Sequence, residues 1–156
     1  MTPAVKALES QGYPYRLLEY DLQARGERDV GQAAAAALGL PERQVFKTLI
    51  AELAGGELVV AVIPVAERLN LKQIARVCGA KSATLADTQA AERATGYVTG
   101  GISPLGQKRR HRTFLAEEAS AEDRVYVSAG KRGLELELAP AVLIEATEAH
   151  VCALVV

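Results

Sequence analysis

Hydrophobic and polar positions along the chain alternate in short blocks, and most blocks have the length of a strand or a two-turn helix. Pro3 to Gln11 reads as a first helix. Thr2 is its N-cap, Pro3 takes the tolerated first position and Gly12 is the stop. Tyr15 to Tyr20 has strand character, and Asp21 to Glu27 is a polar connection. Asp29 with Gln32 three residues on has the form of a capping box for the alanine run Ala33 to Leu38, which Gly39 closes. Val45 to Leu53 and Glu57 to Pro64 flank Gly55-Gly56, a pair that suits a tight hairpin. The second segment is apolar at odd and even positions alike, so it is predicted to be a central strand covered on both faces. Asn70 caps a helix from Leu71 to Cys78, with Gln73 at the reciprocal position and Gly79 as its end. Ser82 to Leu85 is a short strand, and Asp87 caps a helix running to Thr95, stopped by Gly96.

The second half continues in the same manner. Thr113 to Leu115, Arg124 to Ser128 and Leu134 to Leu138 read as strands. Ala139-Pro140 opens a short helix ending near Ala146, and His150 to Val156 forms a terminal strand. Strands outnumber helices and no regular βαβ alternation is present. The pattern predicts an α+β fold with a mixed, barrel-like sheet surrounded by helices, and argues against a doubly wound sheet. No repeat or linker interrupts it, so residues 1–156 are expected to form one domain.

Composition narrows the core and the partners. With aromatics at 4%, the interior must be built from Val, Leu, Ile and Ala. A net charge of −1 leaves polyanion binding to local patches, and two are visible: Lys108, Arg109, Arg110 and Arg112, then Lys131 and Arg132. Two cysteines, Cys78 and Cys152, are too few for a disulfide framework and read as small core residues. The first residues mix acid and base without an apolar signal core, and no run approaches a membrane span, which predicts a cytoplasmic protein.

The stretch from Thr95 to Gln107 holds four glycines and a proline, directly before the first basic patch. It lacks the ending of a phosphate-binding Walker loop and the strand–glycine–helix order of a dinucleotide site. Gly100, Gly101 and Ile102 offer backbone N–H donors that would suit a developing oxyanion, and Ser103 before Pro104 is biased to an extended conformation that would hold them rigid. A purely structural turn is the competing reading. Lys47, inside an apolar strand, is expected on the face opposite Phe46, either solvated or in a cleft where it binds phosphate or polarises a carbonyl. His111 and His150 are the only histidines. Neither accompanies a nucleophile elbow or metal-ligand spacing, so no hydrolytic triad, metal or cofactor is expected.

Three motifs in order carry a resemblance. They are Val45-Phe46-Lys47-Thr48-Leu49, then Gly100-Gly101-Ile102-Ser103-Pro104-Leu105-Gly106-Gln107-Lys108, then Tyr126-Val-Ser-Ala-Gly-Lys-Arg-Gly133. The chain closely resembles the YbaK/EbsC proteins, which are related to the editing insertion of bacterial prolyl-tRNA synthetase. That resemblance implies a Cys-tRNA(Pro) deacylase with a barrel-like sheet and no protein nucleophile: the substrate's own thiol attacks its carbonyl and frees the tRNA. It implies Lys47 as the functional lysine, Gly100, Gly101 and Ile102 as carbonyl donors, and Tyr20, Thr48, Ser103 and Ser128 as substrate contacts. Lys108, Arg109, Arg110, Arg112, Lys131 and Arg132 would then meet tRNA, with prolyl-tRNA synthetase as a further partner. Ala129 departs from the glycine expected there and puts the pocket around Ser128 in doubt. Two alternatives stay open: an Ala- or Ser-tRNA deacylase using water, and a non-catalytic tRNA- or nucleotide-binding module.

Overall fold

A computed structural model describes residues 1–21 and 30–156. Helix α1 spans Pro3–Gln11. Thr2 Oγ1 accepts the Val5 N–H at 3.3 Å, and Gly12 turns the chain at φ 72°. Its Ala4, Val5 and Leu8 enter the main core. Strand β1 (Arg16–Glu19) precedes helix α2 (Val30–Leu38). The capping box expected at Asp29 and most of the polar connection lie outside the described residues.

Strands β2 (Phe46–Leu53) and β3 (Leu58–Pro64) pair antiparallel, Phe46 opposite Pro64 and Glu52 opposite Leu58. Their connection is longer than a two-residue turn: the Leu53 N–H donates to Glu57 O at 2.8 Å and closes a loop of three residues, Ala54, Gly55 and Gly56. Gly55 and Gly56 both have φ above 100°, which explains the pair. Every residue from Val59 to Val65 is buried, as the two-sided apolar pattern requires.

Helix α3 (Leu71–Cys78), strand β4 (Ala83–Leu85) and helix α4 (Thr88–Thr95) follow. Asn70 and Asp87 cap the helices through Gln73 N (3.1 Å) and Ala90 N (2.8 Å). The reciprocal half of the expected Asn70–Gln73 box does not form. Gln73 Oε1 accepts from Arg76, and the Asn70 N–H goes to Leu154 O at 2.7 Å. The C-terminal segment has claimed that donor.

Strands β5 (Thr113–Ala116), β6 (Val125–Ser128) and β7 (Leu134–Leu138), helix α5 (Pro140–Thr147) and strand β8 (His150–Cys152) complete the chain, with short 3-10 turns at Glu42–Gln44 and Glu117–Ala121. The terminal strand is shorter than its apolar pattern suggests. Beyond β8, Val155 makes only an isolated bridge with Leu69. The strands form a five-stranded sheet, β4-β2-β3-β5-β8, and a three-stranded sheet, β1-β7-β6. The first is mixed, since β5 runs parallel to β3 and to β8. A parallel bridge from Val45 to Tyr126 links the two sheets. They do not close into a barrel among the described residues, so the α+β reading stands and the barrel describes it only loosely. No helix among the described residues is long and apolar enough to cross a membrane.

Candidate active site

A cavity of about 470 Å³ opens between the sheets and the loop after α4. Strand β2 supplies Phe46 to Ile50 as one wall, and Lys47 and Thr48 are its polar members. The loop after α4 supplies Thr99, Gly100 and Ile102; β6 supplies Ser128, β7 supplies Glu135, and the turn between them supplies Arg132.

The glycine-rich loop is held from both ends. Gly96 ends α4 at φ 82°, which lets Tyr97 turn into the core at 4% exposure. The Tyr97 hydroxyl donates to Leu105 O at 2.6 Å, drawing the two ends of the loop together. Burial pushes its pKa to about 12. Glu92 accepts the Thr99 N–H at 2.8 Å, and Arg132 Nη2 donates to Thr99 O at 3.3 Å. Gly100 sits at φ 91°, and a Cβ there would overlap the Arg132 guanidinium. This close approach of backbone to a cation is what its glycine permits.

Of the three expected backbone donors, two are open. Gly101 spends its N–H on Val98 O at 2.8 Å, is buried, and does not line the cavity. Its place in the motif comes from packing: a Cβ would lie 3.1 Å from Arg132 N and from Lys131 Cα. The Gly100 and Ile102 N–H groups donate to no protein acceptor among the described residues. Ser103 is fully buried and off the cavity wall. Its Oγ accepts the Leu105 N–H at 3.2 Å and its carbonyl accepts from Gln107 Nε2 at 2.9 Å, so its side chain braces the turn rather than facing a ligand.

Ser128 lines the cavity and its Oγ accepts the Gly130 N–H at 3.0 Å. Ala129 is buried, off the wall and free of positive φ, so alanine there neither strains the backbone nor narrows the cavity. Tyr20 is half-buried at the end of β1 and its N–H donates to Gly133 O at 2.9 Å. It stands near Glu135 and Arg132 without lining the cavity, and burial raises its pKa against an opposing backbone hydrogen bond with Gly133.

The basic patch divides. Arg112 makes a bidentate pair with Glu57 at 2.8 and 2.9 Å, beside the β2–β3 loop, and Arg110 pairs with Glu148. Lys108, Arg109, Lys131 and Arg132 are exposed and have no carboxylate partner among the described residues. Of the six cations only Arg132 lines the cavity.

Glu135 is the residue that sequence reasoning missed. It is 5% exposed, and desolvation alone lifts its carboxyl to about 8. In Leu134-Glu-Leu-Glu-Leu138 the alternation gives both glutamates the look of solvent-facing positions. Glu137 is indeed satisfied, by the Tyr126 hydroxyl at 2.6 Å and Arg16 at 3.2 Å. Glu135 is covered instead, and its Oε2 has no partner. The same holds for Thr48 Oγ1 on the facing strand.

The cavity wall holds hydroxyls and cations but neither histidine nor cysteine among its described residues. No cluster of three or more His, Cys, Asp or Glu that would hold a metal lies among them either.

Comparison with known proteins places this arrangement. The family model for the aminoacyl-tRNA editing domain matches residues 26–146. A proposed Cys-tRNA(Pro)/Cys-tRNA(Cys) deacylase of Enterococcus faecalis, EbsC, is 37% identical over 94% of this chain and 88% of its own length. The crystal structure of a hypothetical protein superposes with a TM-score of 0.87 at 28% identity, covering 99% of this chain and all of the other. That of a candidate trans-editing enzyme for prolyl-tRNA synthetase gives 0.86 at 23% identity, over 100% and 99% of the two chains, which speaks to the fold alone. The chain therefore belongs to the aminoacyl-tRNA editing domain family.

Proposed function

We propose that this protein, working as one unit over residues 1–156, is a trans-acting deacylase that removes cysteine mischarged onto tRNA(Pro). The observation that carries this reading is a cavity with two unspent backbone N–H groups, Gly100 and Ile102, on a wall shared with Lys47 and Arg132. Open donors fixed by a braced loop suit the oxygen of an ester carbonyl as it gains charge, an effect worth about 3 kcal/mol per donor in acyl-transfer sites. Lys47 holds the ester or the terminal adenosine's phosphate. Ser128 and Thr48 line the side-chain end. Arg132, with Lys131, Lys108 and Arg109 outside, meets the acceptor-stem phosphates, and prolyl-tRNA synthetase is the partner expected to select the tRNA.

With no imidazole among the described residues of the wall, the hydroxyls there lack an imidazole base to activate them. The substrate supplies its own nucleophile. The cysteine sulfur attacks the carbonyl carbon, the ester C–O bond breaks, and the thiol proton ends on the departing 3′ oxygen of the tRNA. The cysteine leaves as a cyclic thiolactone, which water opens later.

The test is deacylation of Cys-tRNA(Pro) and Ala-tRNA(Pro) side by side. Loss of cysteine alone, reduced about 100-fold or more by Lys47→Ala, is the expected result. Equal turnover of the alanyl ester would put water in place of the thiol. No turnover of either, with salt-sensitive tRNA binding intact, would leave only a binding module.

A further inference from the structure

Resting on the deacylase reading, we propose that Glu135 is the seat of the substrate's free α-ammonium group, and that the protein thereby selects aminoacyl esters whose amine is unblocked. Glu135 lies on β7, the central strand of its sheet, opposite Ser128 on β6 and Leu18 on β1. It is the one acidic side chain among the described residues lining the cavity, whose cations are Lys47 and Arg132. A ligand that matches this wall is anionic at one end and carries a small cation at the other. An aminoacyl ester on a nucleotide has that distribution of charge. An N-acylated ester has lost the cation.

The unpaired Oε2 gives the second argument. A buried carboxyl with no hydrogen-bond partner is costly, and folded proteins seldom keep one without use. Two residues along the strand, Glu137 has its partners in Tyr126 and Arg16. Glu135 lines the cavity with no hydrogen-bond partner for its carboxyl among the described residues, so an occupant that reaches the carboxyl is the group that completes it. Thr48, whose Oγ1 is the other unpartnered buried side-chain oxygen among the described residues, lines the same cavity. The proton balance is simple. Desolvation keeps Glu135 protonated near neutrality in the empty cavity. An amine that enters neutral takes that proton and forms the ion pair with no net release.

The experiment uses adenosine bearing cysteine through a 3′-amide, which resists hydrolysis, with the α-amine free or acetylated. Binding is measured calorimetrically to the wild type, Glu135→Gln and Glu135→Ala. The wild type is expected to prefer the free amine about 30-fold, and both variants to fall to within about threefold. A melting temperature for Glu135→Gln at neutral pH no lower than that of the wild type shows that the fold is intact; a lower one moves the reading to Glu135→Ala. A preference that survives in both variants, or no preference or no binding in the wild type, overturns the inference. Deacylation of Cys-tRNA(Pro) is scored separately. Turnover with a Glu135-independent preference removes this inference and leaves the deacylase reading. A Glu135-dependent preference without turnover does the reverse.

Discussion

Glu135 should make the stability of this protein fall with rising pH across a window where most proteins are insensitive. Its carboxyl ionises near 8 in the folded chain, from an ordinary value of 4.5, and burial is the whole cause. Between these values the folded chain holds a proton that the unfolded chain has released. Stability is therefore greatest on the acid side of the window, declines as pH rises through it, and levels off above 8. At about 1.4 kcal/mol per pH unit, a gap of this size corresponds to on the order of 5 kcal/mol at most, a large share of a typical domain's stability. Other groups titrate nearby with different signs. His111 has its pKa lowered by burial and by Arg109, so its contribution is lost as pH falls through its own range. Glu57, lowered by Arg112, acts only below the ordinary carboxyl range. Taking the difference between wild type and Glu135→Gln cancels both. Urea unfolding at half-unit steps from pH 5 to pH 8.5 should show the variant gaining on the wild type by several kcal/mol as pH rises. Parallel curves would mean that the carboxyl is solvated or partnered in solution, and the reasoning would fail.

Two further predictions concern the loop and the patch. Tyr97→Phe leaves the buried Leu105 carbonyl without its 2.6 Å donor and should cost about 1–3 kcal/mol of stability, read from the urea midpoint with an unchanged slope; a loss under about 0.5 kcal/mol would show that the hydroxyl does not hold the loop. Arg112→Ala removes its exposed pair with Glu57, a 3.4 Å hydrogen bond to Cys78 O and a contact over the Phe114 ring, so it should change stability by about 1 kcal/mol and leave the salt dependence of tRNA binding unchanged, whereas Arg132→Ala should flatten that dependence by about one ion. Equal slopes for the two variants would refute the division of the patch.

The frame was legible because its signals are local. Thr2, Asn70 and Asp87 each cap the helix that follows, and Gly12, Gly79 and Gly96 each adopt the left-handed conformation that ends one. A cap reads its partner three residues away, so sequence spacing is enough. The apolar segment within Glu57 to Pro64 announced a strand covered on both faces for a similar reason. What escaped depends on distant chain. Arg112 is neutralised by a glutamate 55 residues earlier, and no property of the basic run foretells it. Asn70 gives its N–H to Leu154 across the fold, which undoes half of an apparent capping box.

The same distinction sorts the candidate site, because each polar group there is either spent by the fold or left open. Gly101 N–H, Ser103 Oγ and the Arg112 guanidinium are spent, on Val98 O, Leu105 N–H and Glu57. Their motif positions are explained by building the loop and the hairpin. Gly100 N–H, Ile102 N–H, Thr48 Oγ1 and Glu135 Oε2 have no partner among the described residues, and the residues that carry them all line one cavity. Among the described residues, Thr48 Oγ1 and Glu135 Oε2 are the buried side-chain oxygens left without a partner, and a buried polar atom in that state is costly. Of the four groups, two are donors suited to an anionic oxygen and two are acceptors suited to a cation, so a single ligand bearing a polarised carbonyl beside an ammonium satisfies all four. An aminoacyl ester is such a ligand, and its free amine is the part that only Glu135 can read by charge.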